Sequence, residues 1–457
     1  MKRTVILSIL LALLVSVALL VACGGGAGTG GGAATTAAPA ATTTAAPAAT
    51  TTAAPAANSG SAEPIVMWTF AETHAVYFRD YWIPRAEEKF DVSIRIEVMD
   101  HTALNDRLTI IINAGGEGSP DLVEIEQGQF NRYMRPGRMC LVPLNDYFAH
   151  DDVLNKMVEG RLSLYKFEGN YYGVEQALCP VTMAYRPDLF ELIGKDVPAT
   201  WDDYLEAARL FKEHDIYIAA QSDMRNNAFL GDIDILLRAS DSQHVSANQE
   251  ITITPVFKNL MSDFLTLQRD GMVYAFEDGA DRWNMMAQDR VATMMMADWA
   301  AGWLRDNVPE QEDKWRMAPL PKVTPSASTT SCNGGTGLTM VEYTKQDKDL
   351  LWKLIYDALI ETENVVKKFE IIMLYPPVYA AMPESNSPFD YYGGQVLGEL
   401  YMELAETMPV QNQAWWRSLF TEAVTELSFD LYEGDLTVDE FFDKVVAGTE
   451  TRMKAVE

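Results

Sequence analysis

Three short stretches of this chain gather side chains suited to holding a polar molecule. Between residues 68 and 77, Trp68, Phe70, His74 and Tyr77 offer flat faces and Glu72 an acceptor; residues 100–102 and 124–133 add Asp100, Glu124, Gln127 and Asn131. Aromatic faces supply contact area while a few amides and carboxylates fix orientation, which is the mixture a small-molecule site needs. Motifs for covalent chemistry are missing: there is no Gly-x-Ser-x-Gly elbow and no His-Glu-x-x-His helix. The five His (His74, His101, His150, His214, His244) are scattered, and Cys140, Cys179 and Cys332 match no zinc spacing, so neither a built-in metal nor a cofactor is expected. Gly334-Gly335-Thr336-Gly337 lacks the lysine of a phosphate loop and the spacing of a dinucleotide fingerprint, and it reads as a hinge turn. Carboxylates are plentiful, so counting alone leaves a glycosidase pair open.

These residues need a frame to hold them. Ile65 to Thr69 is an apolar strand, Tyr77 to Phe90 reads as a helix, and Val92, Ile94, Ile96 and Val98 alternate with Ser93, Arg95 and Glu97 at the period of a strand. Leu104, Leu108, Ile111 and Ile112 recur at helical spacing, Gly115 to Pro120 breaks the run, and Asp121 to Ile125 resumes as a strand. Strands alternating with helices predict a parallel sheet with right-handed crossovers. Ligands of such sheets sit beyond the carboxyl ends of the strands, where the three stretches fall. Further on, Gly169 to Val174 is a turn leading into a strand through Ala177 to Tyr185, and Pro187 starts a helix. Thr200 and Asp203 form a capping-box pattern ahead of a helix whose apolar face is Trp201, Tyr204, Leu205, Ala208 and Phe211.

The chain opens on an export signal. Lys2 and Arg3 precede an apolar run from Val5 to Val21, slightly short for a membrane span and ended by small residues. Leu20-Val21-Ala22-Cys23 looks like a bacterial lipobox, which predicts a signal peptide over 1–22, lipidation at Cys23 and an anchored rather than spanning protein. From Cys23 to residue 62 the chain is almost wholly Gly, Ala, Thr, Pro and Ser, with a Thr-Ala-Ala-Pro-Ala-Ala pattern at Thr36, Thr44 and Thr52. Such a composition cannot bury a core, and as a coil it would span roughly 35 Å. It is read as a tether. Glu63 to Glu457 exceeds what one core fills and predicts two domains. The net charge of −29 becomes two units more negative once Lys2 and Arg3 are removed, which disfavours nucleic acid as a partner. Three cysteines beyond Cys23 in an oxidising compartment leave one disulfide and one free thiol open.

Taken in order, several segments resemble the family 1 extracellular solute-binding proteins of bacterial ABC importers, the maltose-binding class. They are Pro120-Asp121-Leu122, Tyr171-Tyr172-Gly173-Val174, Met183 to Phe190, Pro198 to Tyr204, Asp289 to Trp299, Met317 to Pro321 and Asn333 to Leu338. Where the family shows Pro and Asn, this chain has Glu175 and Arg186. The resemblance implies an α/β, two-lobed periplasmic-binding-protein fold, each lobe a mixed β-sheet flanked by helices, with the ligand cleft between lobes. Its expected lobes are residues 63–175 plus about 297–332, and 176–296 plus about 333–457, with crossings near Glu175, Met296 and Cys332. The implied function is capture of a solute, above all a sugar or oligosaccharide, and its delivery to ABC permease subunits by a monomeric, extracytoplasmic, lipid-anchored protein that is not an enzyme. The alternative is a surface glycoside hydrolase or other carbohydrate-active lipoprotein.

The resemblance also extends the set of expected ligand contacts. Asp298 and Trp299 end an apolar strand, with Trp303 a turn later as core or rim. Glu175, Tyr185 and Arg186 flank the expected crossing, where Arg186 would favour an acidic sugar. Arg225, Asn226, Asn227, Trp283 and Asn284 fall on the second lobe's expected face. Gly335 lies in the hinge turn, Tyr375 and Tyr379 in a Pro-rich loop, and Trp415 and Trp416 are read mainly as core.

Overall fold

The computed structural model describes residues 63–134, 139–225, 229–276 and 279–456. Cys23, the signal run and the tether lie outside them, as do Asn226 and Asn227. In chain order the elements that matter here are β1 (Ile65–Thr69), β2 (Ile94–Val98), α1 (His101–Asn113), β3 (Leu122–Glu126), β4 (Gly173–Glu175), β5 (Val181–Tyr185), α2 (Trp201–Glu213), β6 (Tyr217–Ser222), α3 (Phe229–Ala239), β7 (Tyr274–Phe276), α4 (Gly279–Ala287), β8 (Val291–Ala297), α5 (Ala301–Asn307), β9 (Arg316–Ala318), β10 (Thr336–Met340), α6 (Lys348–Leu359), α7 (Thr362–Ile372), α8 (Leu397–Ala405), α9 (Arg417–Glu433) and α10 (Val438–Val456).

They build two five-stranded sheets, in the orders β2-β1-β3-β10-β4 and β9-β5-β8-β6-β7. In each, three strands are parallel, β2-β1-β3 and β8-β6-β7, and the other two bring in antiparallel pairing: β10 runs against β3 and β4, and β5 against β8 and β9. Central β8 reads VATMMMA with most residues buried, whereas edge strand β2 alternates buried Ile94 with exposed Arg95, as burial on two faces or one demands. Asp100 caps α1 by accepting from Thr102 N and Ala103 N at 2.9 and 3.1 Å. The capping box at Thr200 is present in full.

One core, with Met67, Trp82, Leu122, Leu338, Leu354 and Ile355, lies against the first sheet; another, with Met183, Phe211, Phe257, Phe420 and Phe441, lies against the second. A third contains Ile125 of the first sheet and Met296 of the second, joined by Leu178, Cys332 and Tyr375. Each fully buried large apolar side chain contributes roughly 1.5–3 kcal/mol, so the junction between lobes is itself a packed core.

The return segments differ from expectation. Residues 316–318 pair with β5 in the second sheet, and residues 336–340 pair with β3 and β4 in the first. The expected placing of 297–332 in the first lobe and of 333 to about 372 in the second is therefore corrected: α5 and β9 follow the second sheet, while β10, α6 and α7 belong to the first, whose core holds Leu351, Ile355 and Val365; α9 and α10 pack on the second sheet's core through Phe420 and Phe441. Nor does the chain cross at Met296, because β8 and β9 lie in one sheet. Crossings occur at 176–180, 332–335 and about 373–375. They run side by side: Leu178 N donates to Tyr375 O at 2.7 Å, Asn333 N to Cys179 O at 3.4 Å and Val181 N to Ser331 O at 3.0 Å. Cys140, Cys179 and Cys332 stand as buried thiols.

Fully buried Arg161 fastens this junction. Its Nε donates to Ala177 O at 3.1 Å, and Nη2 donates to Gly334 O at 3.0 Å and Glu175 Oε2 at 2.9 Å. Glu175 Oε1 accepts from the backbone of Gln176, Ala177 and Thr336 at 2.9, 3.3 and 2.9 Å. Gly335 leaves the room for this, since at φ +119° a Cβ would stand 1.9 Å from Arg161 Nη2 and 2.6 Å from Glu175 Oε2. Gly335→Ala combines backbone strain with overpacking, each worth about 1–3 kcal/mol. A loss of about 2–4 kcal/mol is expected in urea unfolding; a variant as stable as the parent would show that the clamp shifts at no cost.

Candidate functional site

The carboxyl ends of β1, β2, β3 and β4 and the amino end of β10 all open on the same edge of the first sheet. In the second sheet the corresponding edge carries the carboxyl ends of β6, β7 and β8 and the amino end of β5, which leads directly from the crossing. The two edges flank the hinge strands and define the candidate cleft.

On the first side the floor is polar and tightly organised. Glu124 is fully buried; one carboxylate oxygen accepts from Thr69 Oγ1 and lies 3.2 Å from His74 Nδ1, and the other accepts from Gln176 Nε2. Lys368 reaches in from α7 to donate to Gln176 O, and burial pulls its amine down to about 8. Above this layer Phe70 is half-buried and meets the His101 ring edge-on at 4.8 Å. Burial lowers the His101 pKa. Glu126, at the end of β3, accepts from Gly128 N at 2.7 Å, and burial raises its carboxyl.

On the second side Trp299 is half-buried. Its indole N–H donates to Asn333 O of the hinge at 2.8 Å, and its ring meets exposed Trp303 edge-on at 4.9 Å. Asp298 turns inward, accepting from Trp299 N at 2.7 Å and Tyr375 N at 3.3 Å, and burial pushes its carboxyl up to about 7. Behind the cleft Asp234 is shared by Arg417, Arg238 and His244, which hold it well below the usual carboxylate range against the opposing effect of burial; Arg238 also donates to Cys332 O at 3.2 Å.

Several buried polar atoms in this region have no protein partner: the amide oxygens of Gln127, Gln176 and Gln221, the amide nitrogen of Gln413, His101 Nε2 and Trp68 Nε1. Three of these glutamines sit at strand ends, Gln127 directly after β3, Gln176 directly after β4 and Gln221 next to last in β6. Leaving such groups unpaired costs about 1–3 kcal/mol each, and native structures tolerate few of them.

Not every expected contact is in this array. Phe70, Gln127 and Trp299 stand at the strand ends with part of their surface or a polar atom unpartnered, and half-buried Trp283 lies in α4, the helix that follows β7. Trp68 is core, with the Arg107 guanidinium 4.3 Å above its ring. Glu124, Glu175 and Asp298 are buried and occupied by protein donors, and buried His74 is taken up by the Glu124 carboxylate. Glu72 is exposed and pairs with Arg79 at 3.1 Å. Tyr185 and Arg186 are at the wrong end: β5 starts at the crossing and runs away from it, leaving Arg186 between Asp188 at 2.7 Å and Asp289 at 2.6 Å. Arg186 is thus held by protein carboxylates at the far end of β5 from the candidate cleft. Gly335 serves the hinge, and its carbonyl accepts from Gln127 N at 3.0 Å. Tyr375 is buried, donating to Gly398 O at 2.8 Å, while Tyr379 is exposed beside Lys156 and Tyr356. Arg225 lies against Asp223 at the end of β6, and Trp416 is core. Gln176, Gln221, His101 and Arg282 escaped the sequence reading, although a Gln closing strand after strand was a visible signal.

The Asp298 carboxyl carries a pH signature. Its folded pKa is raised above the unfolded value of about 4, so its protonated form is favoured by folding; stability is full below about pH 4 and declines as pH rises toward 7. In Asp298→Asn this decline disappears, and the variant should gain about 2–3 kcal/mol relative to the parent between pH 5 and pH 8. Parallel pH–stability curves for the two proteins would show that Asp298 is charged throughout.

Comparison with known proteins gives this geometry its family. The model for bacterial extracellular solute-binding proteins matches residues 71–364. The arabinooligosaccharide-binding protein of Halalkalibacterium halodurans is 25% identical over 388 residues, covering 81% of this chain and 85% of the relative. That of Bacillus subtilis is 23% identical over 353 residues, covering 73% and 78%. Among solved structures, the sugar-binding protein MalE of Xanthomonas citri superposes with a TM-score of 0.67 at 17% identity, over 86% of this chain and 99% of that one. The chain belongs to the bacterial extracellular solute-binding proteins, family 1, and has their two-lobed fold.

Proposed function

We propose that this protein captures a neutral oligosaccharide between its lobes and delivers it to an ABC permease while held to the membrane by a lipid on Cys23. The observation that carries the reading is the array of unpartnered buried polar atoms at the strand ends, beside the half-buried rings of Phe70 and Trp299. Sugars offer hydroxyl edges and apolar C–H faces, and this array answers both. A neutral ligand is supported by the cations beside the hinge: Arg161, Arg238 and Arg417 are each held by protein carboxylates, leaving them poorly placed to bind an acid. Two relatives are named for arabinooligosaccharides, which makes pentose oligomers the first ligands to try. Glu124 of the cleft floor, Glu175 of the hinge, and Glu126 and Asp298 at the strand ends all accept from protein donors, which favours binding over hydrolysis. The lipobox and tether supply the anchor.

Calorimetry with arabinooligosaccharides, malto-oligosaccharides and galacto-oligosaccharides should give saturable binding to at least one series, with no product formed on prolonged incubation. Binding to none, or steady release of shorter sugars, overturns the reading. Trp299→Ala should weaken binding by roughly 30-fold to 150-fold, corresponding to about 2–3 kcal/mol. Melting temperature is followed in parallel; unchanged affinity with lowered stability would make Trp299 a hinge residue only. Cys23→Ser should move the protein from the membrane fraction to the soluble extract, and a variant that stays membrane-bound would refute the anchor.

A further inference from the structure

Beyond Trp299, the cleft edge of the second sheet continues in a feature not accounted for by one sugar-stacking platform. Arg282, in α4, stands with its guanidinium carbon 4.4 Å from the centre of the Trp283 ring, 5.4 Å from that of Phe276 and 5.7 Å from that of Trp303. Its Nε is buried and donates to no protein acceptor among the described residues. Trp303 is 41% exposed and joins the group to Trp299 edge-on at 4.9 Å. Phe276 is the last residue of β7 and Trp299 follows the end of β8, with β6 between them. The rings thus reach across two strand spacings, roughly 10 Å along the sheet edge, more than the width of one sugar ring.

We infer that Arg282, Trp303 and Trp283 form an outer subsite that holds the second and later rings of an oligosaccharide, with Trp303 offering a stacking face and Arg282 a hydrogen-bond donor, so that this edge selects for ligand length. An exposed Trp on a surface helix turn is ordinary when isolated. Here it belongs to a continuous aromatic run that starts at the hinge and surrounds a desolvated donor. Guanidinium over aromatic rings fixes the donor's position, and a donor buried without an acceptor is the kind of group that a ligand hydroxyl satisfies. The inference rests on the oligosaccharide reading and specifies the length of its ligand.

The test is a length series, from free arabinose to arabinohexaose, titrated calorimetrically into the parent, Trp303→Ala and Arg282→Gln, with the corresponding malto-oligosaccharides as a second ladder. Parent affinity should rise with length. Both variants should lose about tenfold for the longest sugar while staying within twofold of the parent for the shortest one that binds. A loss equal at all lengths would place these residues in the inner site or the fold, and no loss at any length would remove them from the site; either overturns the subsite. Trp303→Phe, which keeps a stacking face, should recover most of the long-chain affinity, and its failure to do so with an unchanged melting temperature also counts against it. If the parent binds no sugar of any length in either ladder, the oligosaccharide reading itself is overturned, and the subsite with it.

Discussion

The ion pair between Arg161 and Glu175 is the constraint on which the two lobes depend. Three chain segments must pass between the lobes through a packed apolar junction, and each brings backbone N–H and C=O groups that cannot be left unpaired there. Segments as short as these cannot satisfy one another fully. Arg161 takes two of the carbonyls, Glu175 takes three N–H groups, and the pair neutralises its own charge. A buried pair gains little in net stability over an apolar substitute, yet removing one partner costs about 3–5 kcal/mol. Its value here is geometric, for it fixes where one lobe ends and the other begins. Gly335 follows from that geometry, since no other residue leaves the guanidinium its place.

The cleft inherits its character from the same junction. Because β4 and β5 are separated only by the crossing, the polar ends of both sheets converge on the hinge, and the residues there divide into two layers. The deeper layer, Glu124 with Thr69, His74 and Gln176, is internally bonded and sets the shape of the floor. The outer layer is made of amides and rings whose bonding capacity is left over. Gln176 belongs to both, donating its amide nitrogen to Glu124 and leaving its oxygen without a protein partner, so the deep layer positions the outer one.

Much of this was legible in the sequence. Alternating Ile94, Arg95, Ile96 and Glu97 specified an edge strand, and Thr200 with Asp203 specified a helix start, because both signals are local. Two non-local facts escaped local reading. The direction of β5 decides whether Arg186 faces ligand or Asp289, and direction is set by pairing with β8, more than a hundred residues away. Likewise the lobe that receives β10 is decided by pairing with β3, which no feature of Thr336 to Met340 announces. Carboxylates were the other source of error. At a strand end a Glu reads as a ligand contact, but Glu124 and Glu175 have protein donors within reach that only the fold brings near. Glutamine, with both a donor and an acceptor to satisfy, was the better marker.

A ligand can drive the lobes together only if it binds the closed arrangement more tightly than the open one. Contacts confined to one lobe would be made equally in both and would shift nothing. The distribution of bonding capacity meets this condition: Gln127 and Gln176 project from the first sheet, Gln221 and Trp299 from the second, and neither set alone surrounds a solute. Trp299 couples the two requirements most directly. Its ring is half-buried beyond the end of β8, while its indole N–H holds the carbonyl of Asn333, one residue before Gly334, whose Cβ would touch that same ring nitrogen at 3.0 Å. The side chain that ends the central strand of the second sheet is thus fastened directly to a crossing segment, so that ring and hinge move together.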